Sequence, residues 1–403
     1  MYRKTNRNRY TATLLLLTAT LAPKIIQAQW DIEESHTTAS LRGIHNVGGG
    51  VAWASGTNGT VLRTEDGGYL WQTCSIPPGA EKLDFRGIQA FDENTAIVMS
   101  SGKGDLSRLY KTTDGCRTWK LVFTNPDKEG FWDAVSIMAP SHDAIGNPLD
   151  HSHAWGFLLG DPVDGNFALF STVDGGNTWS REVAQNRGSK GEGCKIDAFK
   201  AKSDEALFAA SNSSLLTFNG IYLAFVTGGA TSRIGYRDVF SLDGALCHQS
   251  SHFAVLPIAH GNSSSGAFGF ATYPRVPTKG NIPDTLMIVG GDYKQPNATD
   301  HNAIFVKRFG TLFQTVSEPQ TPPHGYRSAV AYDPTTKTWI TVGPNGTDIS
   351  RDDGRNWSPL KPTASEPQDA DKNWNALSLP FVVGPHGRIG KLRATSLSAP
   401  EKP

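Results

Sequence analysis

Three arginines stand at matching places in short strand-like runs: Arg42 in Leu41-Arg42-Gly43-Ile44, Arg86 in Phe85-Arg86-Gly87-Ile88 and Arg327 in Tyr326-Arg327-Ser328-Ala329-Val330. A guanidinium is a planar fork of donors, so arginines gathered at one place can clamp a carboxylate or an acidic peptide bidentately. Acid–base chemistry has one candidate pair, Asp161 and Asp292, each at the end of an apolar run. To cleave a glycosidic bond their carboxyl groups would stand roughly 5 to 9.5 Å apart. Lys103, Asp164, Tyr293, Lys294, Asn345 and His386 occupy polar loops of the same kind. There is no Cys-x-x-Cys or Cys/His cluster for zinc, no dinucleotide fingerprint and no phosphate-binding loop, so neither a metal nor a cofactor is expected. Lys plus Arg equals Asp plus Glu at 38 each, which gives the whole chain no pull towards nucleic acid or an anionic membrane. Charge-based recognition has to be local.

The elements that would hold these residues are announced by a repeat. Thr64-Glu65-Asp66-Gly67-Gly68-Tyr69-Leu70-Trp71 returns as Thr172 to Trp179 and as Ser350 to Trp357, giving S/T-x-D-x-G-x-x-W three times. Thr112 to Trp119 keeps all but the glycine, and Ser241-Leu242-Asp243-Gly244-Ala245 keeps the hydroxyl and the carboxylate. Between Val306 and Phe313 only Gly310 and an aromatic remain. An aspartate in a turn accepts from backbone N–H groups just ahead of it, the hydroxyl adds another bond, and glycine supplies a positive φ. The tryptophan then buries a large apolar surface. Asp66, Asp114, Asp174, Asp243 and Asp352, with Trp71, Trp119, Trp179 and Trp357, are therefore read as structural.

Two strand-like runs precede each turn. The first opens at Leu41, Phe85, Phe131, Ala206, Ala267, Tyr326 and Trp374; the second ends in a glycine-rich polar loop such as Gly160-Asp161-Pro162 or Gly290-Gly291-Asp292. Both series have seven members, and four short strands per unit is the pattern of a propeller blade. The expected fold is all-β: a seven-bladed propeller with Asp-box (BNR) repeats over residues 29–396. The last unit has only three strands, so residues 29–38 are expected to supply the fourth and close the ring. Residues 185–204 read as an insertion between blades three and four, and 397–403 as a flexible tail. In a propeller the loop leading into the innermost strand and the loop between the second and third strands share one face. Arg42, Arg86, Arg327, Lys103, Asp161, Asp292, Tyr293 and Lys294 are thereby collected around one end of the central channel as partner-binding candidates.

Arg3, Lys4, Arg7 and Arg9 precede the apolar Leu14–Leu17 stretch and Ile26-Gln27-Ala28. That is the layout of a secretory signal cut after Ala28, and it is too short and too interrupted by Lys24 for a membrane span. The mature chain is expected in the periplasm or outside the cell, with no stable membrane insertion. In such a compartment Cys74, Cys116, Cys194 and Cys247 can form two disulfides in three connectivities, with Cys74–Cys116 and Cys194–Cys247 preferred.

The turn motifs, the LRGI/FRGI openings and the closing Phe381-Val382-Val383-Gly384-Pro385-His386-Gly387-Arg388-Ile389 resemble the photosystem II stability/assembly-factor-like propellers. More narrowly, the chain resembles their exported bacterial relatives with WD40/YVTN/BNR-like repeats, over about residues 30–395. The resemblance implies a non-enzymatic scaffold that holds a protein or peptide partner on an arginine-rich patch, here at Arg42, Arg86 and Arg327. Blades three, four, five and seven carry Trp132, Leu207, Phe268 and Asn375 at the corresponding places. An acidic segment is one expected ligand. A glycan is another, with Trp132 and Tyr293 as candidate platforms. A sialidase-like glycoside hydrolase is the enzymatic alternative; its Arg-Ile-Pro motif has only a faint counterpart in Tyr273-Pro274-Arg275-Val276-Pro277, in the fifth blade instead of the first.

Overall fold

The computed structural model describes residues 29–139, 150–182, 186–187, 194–218, 222–238, 248–273, 285–309, 312–362 and 366–397. Seven antiparallel blades follow one another along the chain, six of them four-stranded sheets and the fifth a four-stranded blade extended by two short strands, Glu205–Ala206 and Gly228–Gly229. Their inner strands are Leu41–Gly48, Phe85–Ala90, Trp132–Met138, Leu215–Phe218, Ser265–Thr272, Ala329–Asp333 and Ala376–Ser378. Each contacts the next, and the seventh contacts the first, so the ring is closed around a channel. The second strands, such as Ala96–Ser100 and Thr338–Gly343, are buried along their whole length because neighbouring blades cover both faces. That explains their continuous apolar runs, where a one-sided strand would alternate. Outer strands such as Gln72–Thr73 and Ser358–Pro359 are short and exposed.

The ring closes as expected. Trp30–Glu33 pairs antiparallel with Ile389–Leu392, with Trp30 opposite Leu392, and becomes the outer strand of blade seven. Trp30 is 2% exposed and its ring lies 5.7 Å from that of Trp374, in the apolar seam between blades six and seven. Leu397 is buried in the same seam.

Blade four departs from the expected strand assignment. Its inner strand is Leu215–Phe218, which pairs with Tyr222–Val226. Glu205–Ala206 instead bridges to Gly228–Gly229, and Leu207 to Ala210 run along the channel mouth. The run 206–208 is apolar because it lines that mouth and a seam, not because it forms the blade. Within the insertion, Asn186–Arg187 pairs with Cys194–Ile196, which runs parallel to His248–Gln249. The Cys74–Cys116 disulfide is formed and links blades one and two. Cys247, and with it the second expected disulfide, lies outside the described residues, as do the signal sequence at 1–28, Asp243 and residues 398–403.

Four of the aspartate turns share one hydrogen-bond pattern. The hydroxyls of Thr64, Thr112, Thr172 and Ser350 donate to the aspartate two residues on, at 2.8–2.9 Å, and accept the N–H four residues on, at 2.9–3.1 Å. The aspartates accept from the backbone N–H of Leu70, Thr118, Thr178 and Asn356. The residue at the glycine position has φ of 98° at Gly68, 78° at Gly176 and 77° at Gly354. In blade two Cys116 takes the same left-handed conformation, at φ 61°, and is tied down by Cys74. Trp71, Trp119 and Trp357 are buried behind these turns, and Trp179 is half-buried.

Two measurements check this account. Trp30→Ala should cost about 3 kcal/mol in chemical denaturation, as expected for a large aromatic removed from a packed seam. The Thr118 hydroxyl and N–H, with Thr112, hold the Asp114 carboxyl down at about 2. Its contribution to stability is therefore present above the ordinary carboxylate range and lost as pH falls through about 2. Asp114→Asn should flatten that part of the acid-denaturation profile.

Candidate functional site

The chain makes the same detour at the top of several inner strands. The pairing of the first and second strands shifts register between Leu41 and Gly43, Phe85 and Gly87, Trp132 and Ala134, and Ala267 and Gly269. In each β-bulge one extra residue is left without a partner and is re-aimed. Those residues are Arg42, Arg86, Asp133 and Phe268, and all four line one pocket of about 440 Å³ at the channel mouth. In blades one, three and five the second strand carries glycine opposite the residue before the bulge, and in blade two it carries Ser100. A Cβ at Gly56, Gly160, Gly343 or Gly384 would collide with the backbone carbonyl of Ser40, Phe131, Tyr326 or Asn373 respectively.

Blades one to three supply the charge. Arg42 Nε lies 3.5 Å from Asp84 Oδ1 and Arg86 Nε donates to Asp84 Oδ2 at 2.8 Å, so one carboxylate serves two guanidinium groups. Burial and the neighbouring Arg86 pull the Arg42 pKa down. On the blade-three side Asp161 Oδ1 accepts the Leu207 N–H at 2.9 Å, and burial pushes its carboxyl up. Asp133 is 1% exposed, and its Oδ2 has no hydrogen-bond partner. Burial, then the charge of Asp161, pushes it well above the usual carboxylate range. Blades four to seven supply an apolar wall. Phe208 stacks on Phe268 at 3.9 Å, and Tyr293 and Tyr326 meet the Phe268 ring edge to face. Trp374 and Asn375 complete the circle.

Not every expected residue reaches this place. Arg42, Arg86, Asp161 and Tyr293 line the pocket; Arg327, Lys103, Asp292 and Lys294 do not. Arg327 is out of step by one residue. It occupies the buried place held by Leu41, Phe85, Trp132 and Trp374 in other blades, while Ser328 faces the mouth. Its side chain is fully buried against Asp348, with Nη1 donating to Tyr326 O at 2.8 Å and to Asn345 Oδ1 at 2.5 Å. Asp348 in turn is bonded to His324 Nδ1 at 2.7 Å. Lys103 is exposed and pairs with Glu129 at 2.5 Å. Asp292 accepts from Lys294 N, Gln295 and Asn262; burial alone would raise its pKa, but these donors and Ser264 hold it low. The Asp161 and Asp292 carboxyls therefore belong to separate settings and do not face each other across the pocket. Asp164 and His386 sit in exposed turns at φ 51° and 58°.

The same one-residue step moves the expected aromatic platform. Trp132 is fully buried and stacked on Phe123 at 5.2 Å in the seam between blades two and three, so it offers no face to a glycan. Its neighbour Phe131 lines the mouth instead. The pattern does not mark Asp84, Phe208 and Tyr326 as site residues and offers Asp133 only as a partner for the arginines, because the repeat marks the arginines and leaves the bulge register unstated. Aligning each run on its buried apolar residue would have found Asp133 and Ser328.

Removal of Arg327 leaves the buried Asp348 without its guanidinium and with His324 alone, which costs about 3 kcal/mol. The half-exposed Arg42 and Arg86 share one carboxylate at the surface, where such pairs contribute at most about 1 kcal/mol. Thermal denaturation of the three alanine variants should separate Arg327 from the other two.

No protein-family model matches the sequence, and no curated protein matches it. Solved structures do match. The structure of YCF48 bound to D1 peptide aligns with a TM-score of 0.56 and 14% identity over 91% of this chain and 97% of that one. YCF48 from Cyanidioschyzon merolae aligns with a TM-score of 0.50 and 16% identity over 91% of this chain and all of that one. In its fold the chain is a YCF48-like seven-bladed propeller.

Proposed function

We propose that this chain is a non-enzymatic binding and assembly scaffold that holds a peptide segment of a protein partner over the channel mouth. The observation that carries the reading is the ring of bulges, which aims Arg42, Arg86, Asp133 and Phe268 into one open pocket from four separate blades. Such a site is rigid because each member is fixed by strand pairing, and a rigid site loses little entropy on binding. Phe208, Phe268 and Tyr293 offer apolar surface to a side chain, while the arginines and carboxyls offer directional bonds. The structurally similar YCF48 bound to D1 peptide supports a peptide as the ligand. Binding is favoured over glycoside hydrolysis because Asp161 and Asp292 do not share the pocket. The aspartate-turn repeats fit the Asp-box class. The basic and apolar N-terminal residues support export to the periplasm or the cell exterior, with Gln29 as the first mature residue.

Arrays of random dodecapeptides probed with the purified chain test the reading. A defined set should be captured by the wild type and by Lys120→Glu, which alters an exposed outer strand. Arg42→Glu with Arg86→Glu should weaken those peptides at least about tenfold, equal to about 1.4 kcal/mol. Equal capture by the double variant would move the site elsewhere. N-terminal sequencing of the exported chain should begin at Gln29.

A further inference from the structure

The pocket carries two arginines, yet it is not a simple cationic patch. Asp133 stands at the bulge position that Arg42 and Arg86 hold in the two preceding blades, and Asp161 lies beside it across the same blade. With every group ionised, the two cations Arg42 and Arg86 face three anions, Asp84, Asp133 and Asp161. An incoming carboxylate would then enter a pocket of net negative charge, which disfavours it. One proton on the Asp133–Asp161 pair makes the empty pocket neutral, and a second makes it positive. Asp133 Oδ2 is buried, lacks any partner and belongs to a residue lining the pocket, so it can receive a proton and then donate it.

We propose that capture of an anionic side chain at this mouth is proton-coupled: Arg42 and Arg86 hold a partner's carboxylate while a proton from solvent is taken up between Asp133 and Asp161. This rests on the scaffold reading above and assigns the two carboxyls as the residues that set its pH dependence. The groups around the pair are consistent with the role. Arg86 is the cation felt by Asp133, and it is already committed to Asp84 and to Ala209 O. Blade four contributes only Leu207 to Ala210, which do not titrate. Blades five and six contribute Tyr293 and Tyr326, and burial pushes the Tyr326 phenol up. Trp374 and Asn375 add no charge. Burial already pushes both carboxyls up in the empty pocket, and the charge of Asp161 pushes Asp133 further. An added anion pushes them further, so affinity rises as pH falls.

The test is calorimetry with the blocked peptide Ala-Ala-Ala-Glu-Ala-Ala-Ala, beside its Gln and Lys counterparts, in buffers of different ionisation enthalpy. For the Glu peptide the wild type should take up about one proton, and affinity should rise about tenfold per pH unit from about pH 8 to about pH 6. Asp161→Asn keeps an acceptor for the Leu207 N–H and so keeps the local fold. It and Asp133→Asn should each abolish the pH slope and bind the Glu peptide at about pH 8 as tightly as the wild type does at about pH 6. Glu-peptide binding without proton uptake, or a slope that survives both variants, overturns the inference and leaves the scaffold reading intact. Capture of the Lys or Gln peptide in preference to Glu overturns it as well, again sparing the scaffold. Failure to bind any of the three, with empty dodecapeptide arrays, removes both.

Discussion

The apolar seam between adjacent blades is the contact on which everything else in this molecule rests. Seven hydrophobic clusters lie one in each gap of the ring, from Trp53 and Phe85 between blades one and two to Leu41 and Phe381 between seven and one. A single four-stranded sheet of this size cannot bury both of its faces alone. Each blade is stable because two others cover it, and that holds for all seven only if the ring closes. Closure is the task of Trp30–Glu33, which completes the last sheet and adds Trp30 to the seam. The aspartate turns serve the same end. By satisfying the hydroxyl and the carboxylate within eight residues, they deliver a tryptophan behind each turn.

A closed ring also fixes the mouth. Inner strands cannot shift individually, so a bulge in one of them produces a permanent, directed side chain. Four such bulges bring residues more than two hundred positions apart in the chain into one pocket. At Gly56, Gly160 and Gly290 the second strands approach the neighbouring carbonyl too closely for a Cβ. Arg327 shows what happens one residue before the position that faces the mouth: the guanidinium turns into the blade, where Asp348, Asn345 and the Tyr326 carbonyl saturate it. It then acts as an internal tie between loops of blade six.

The electrostatics of the mouth follow from its depth. Asp84 offsets part of the charge of Arg42 and Arg86, and Asp133 and Asp161 face the remainder from a setting that disfavours ionisation. The site is thus balanced close to neutrality, with an aromatic wall opposite. A ligand here is selected by charge, by shape against Phe208 and Phe268, and by the proton count of the pair.

Sequence by itself determined the architecture. The hydroxyl–aspartate–glycine–tryptophan spacing is a local chemical requirement, and a local requirement is visible in consecutive residues. Seven paired apolar runs and a final unit one strand short then specified the blade count and the joining of the termini. Arg42, Arg86, Asp161 and Tyr293 could be placed at the mouth on the same logic. What only the tertiary structure decided was register. Strand side chains alternate with a period of two, so a one-residue bulge exchanges inside for outside. Phe131 and Trp132, or Arg327 and Ser328, are indistinguishable in role until the pairing is known. The bulge depends on how closely a neighbouring backbone approaches, a contact between distant segments that no local pattern records.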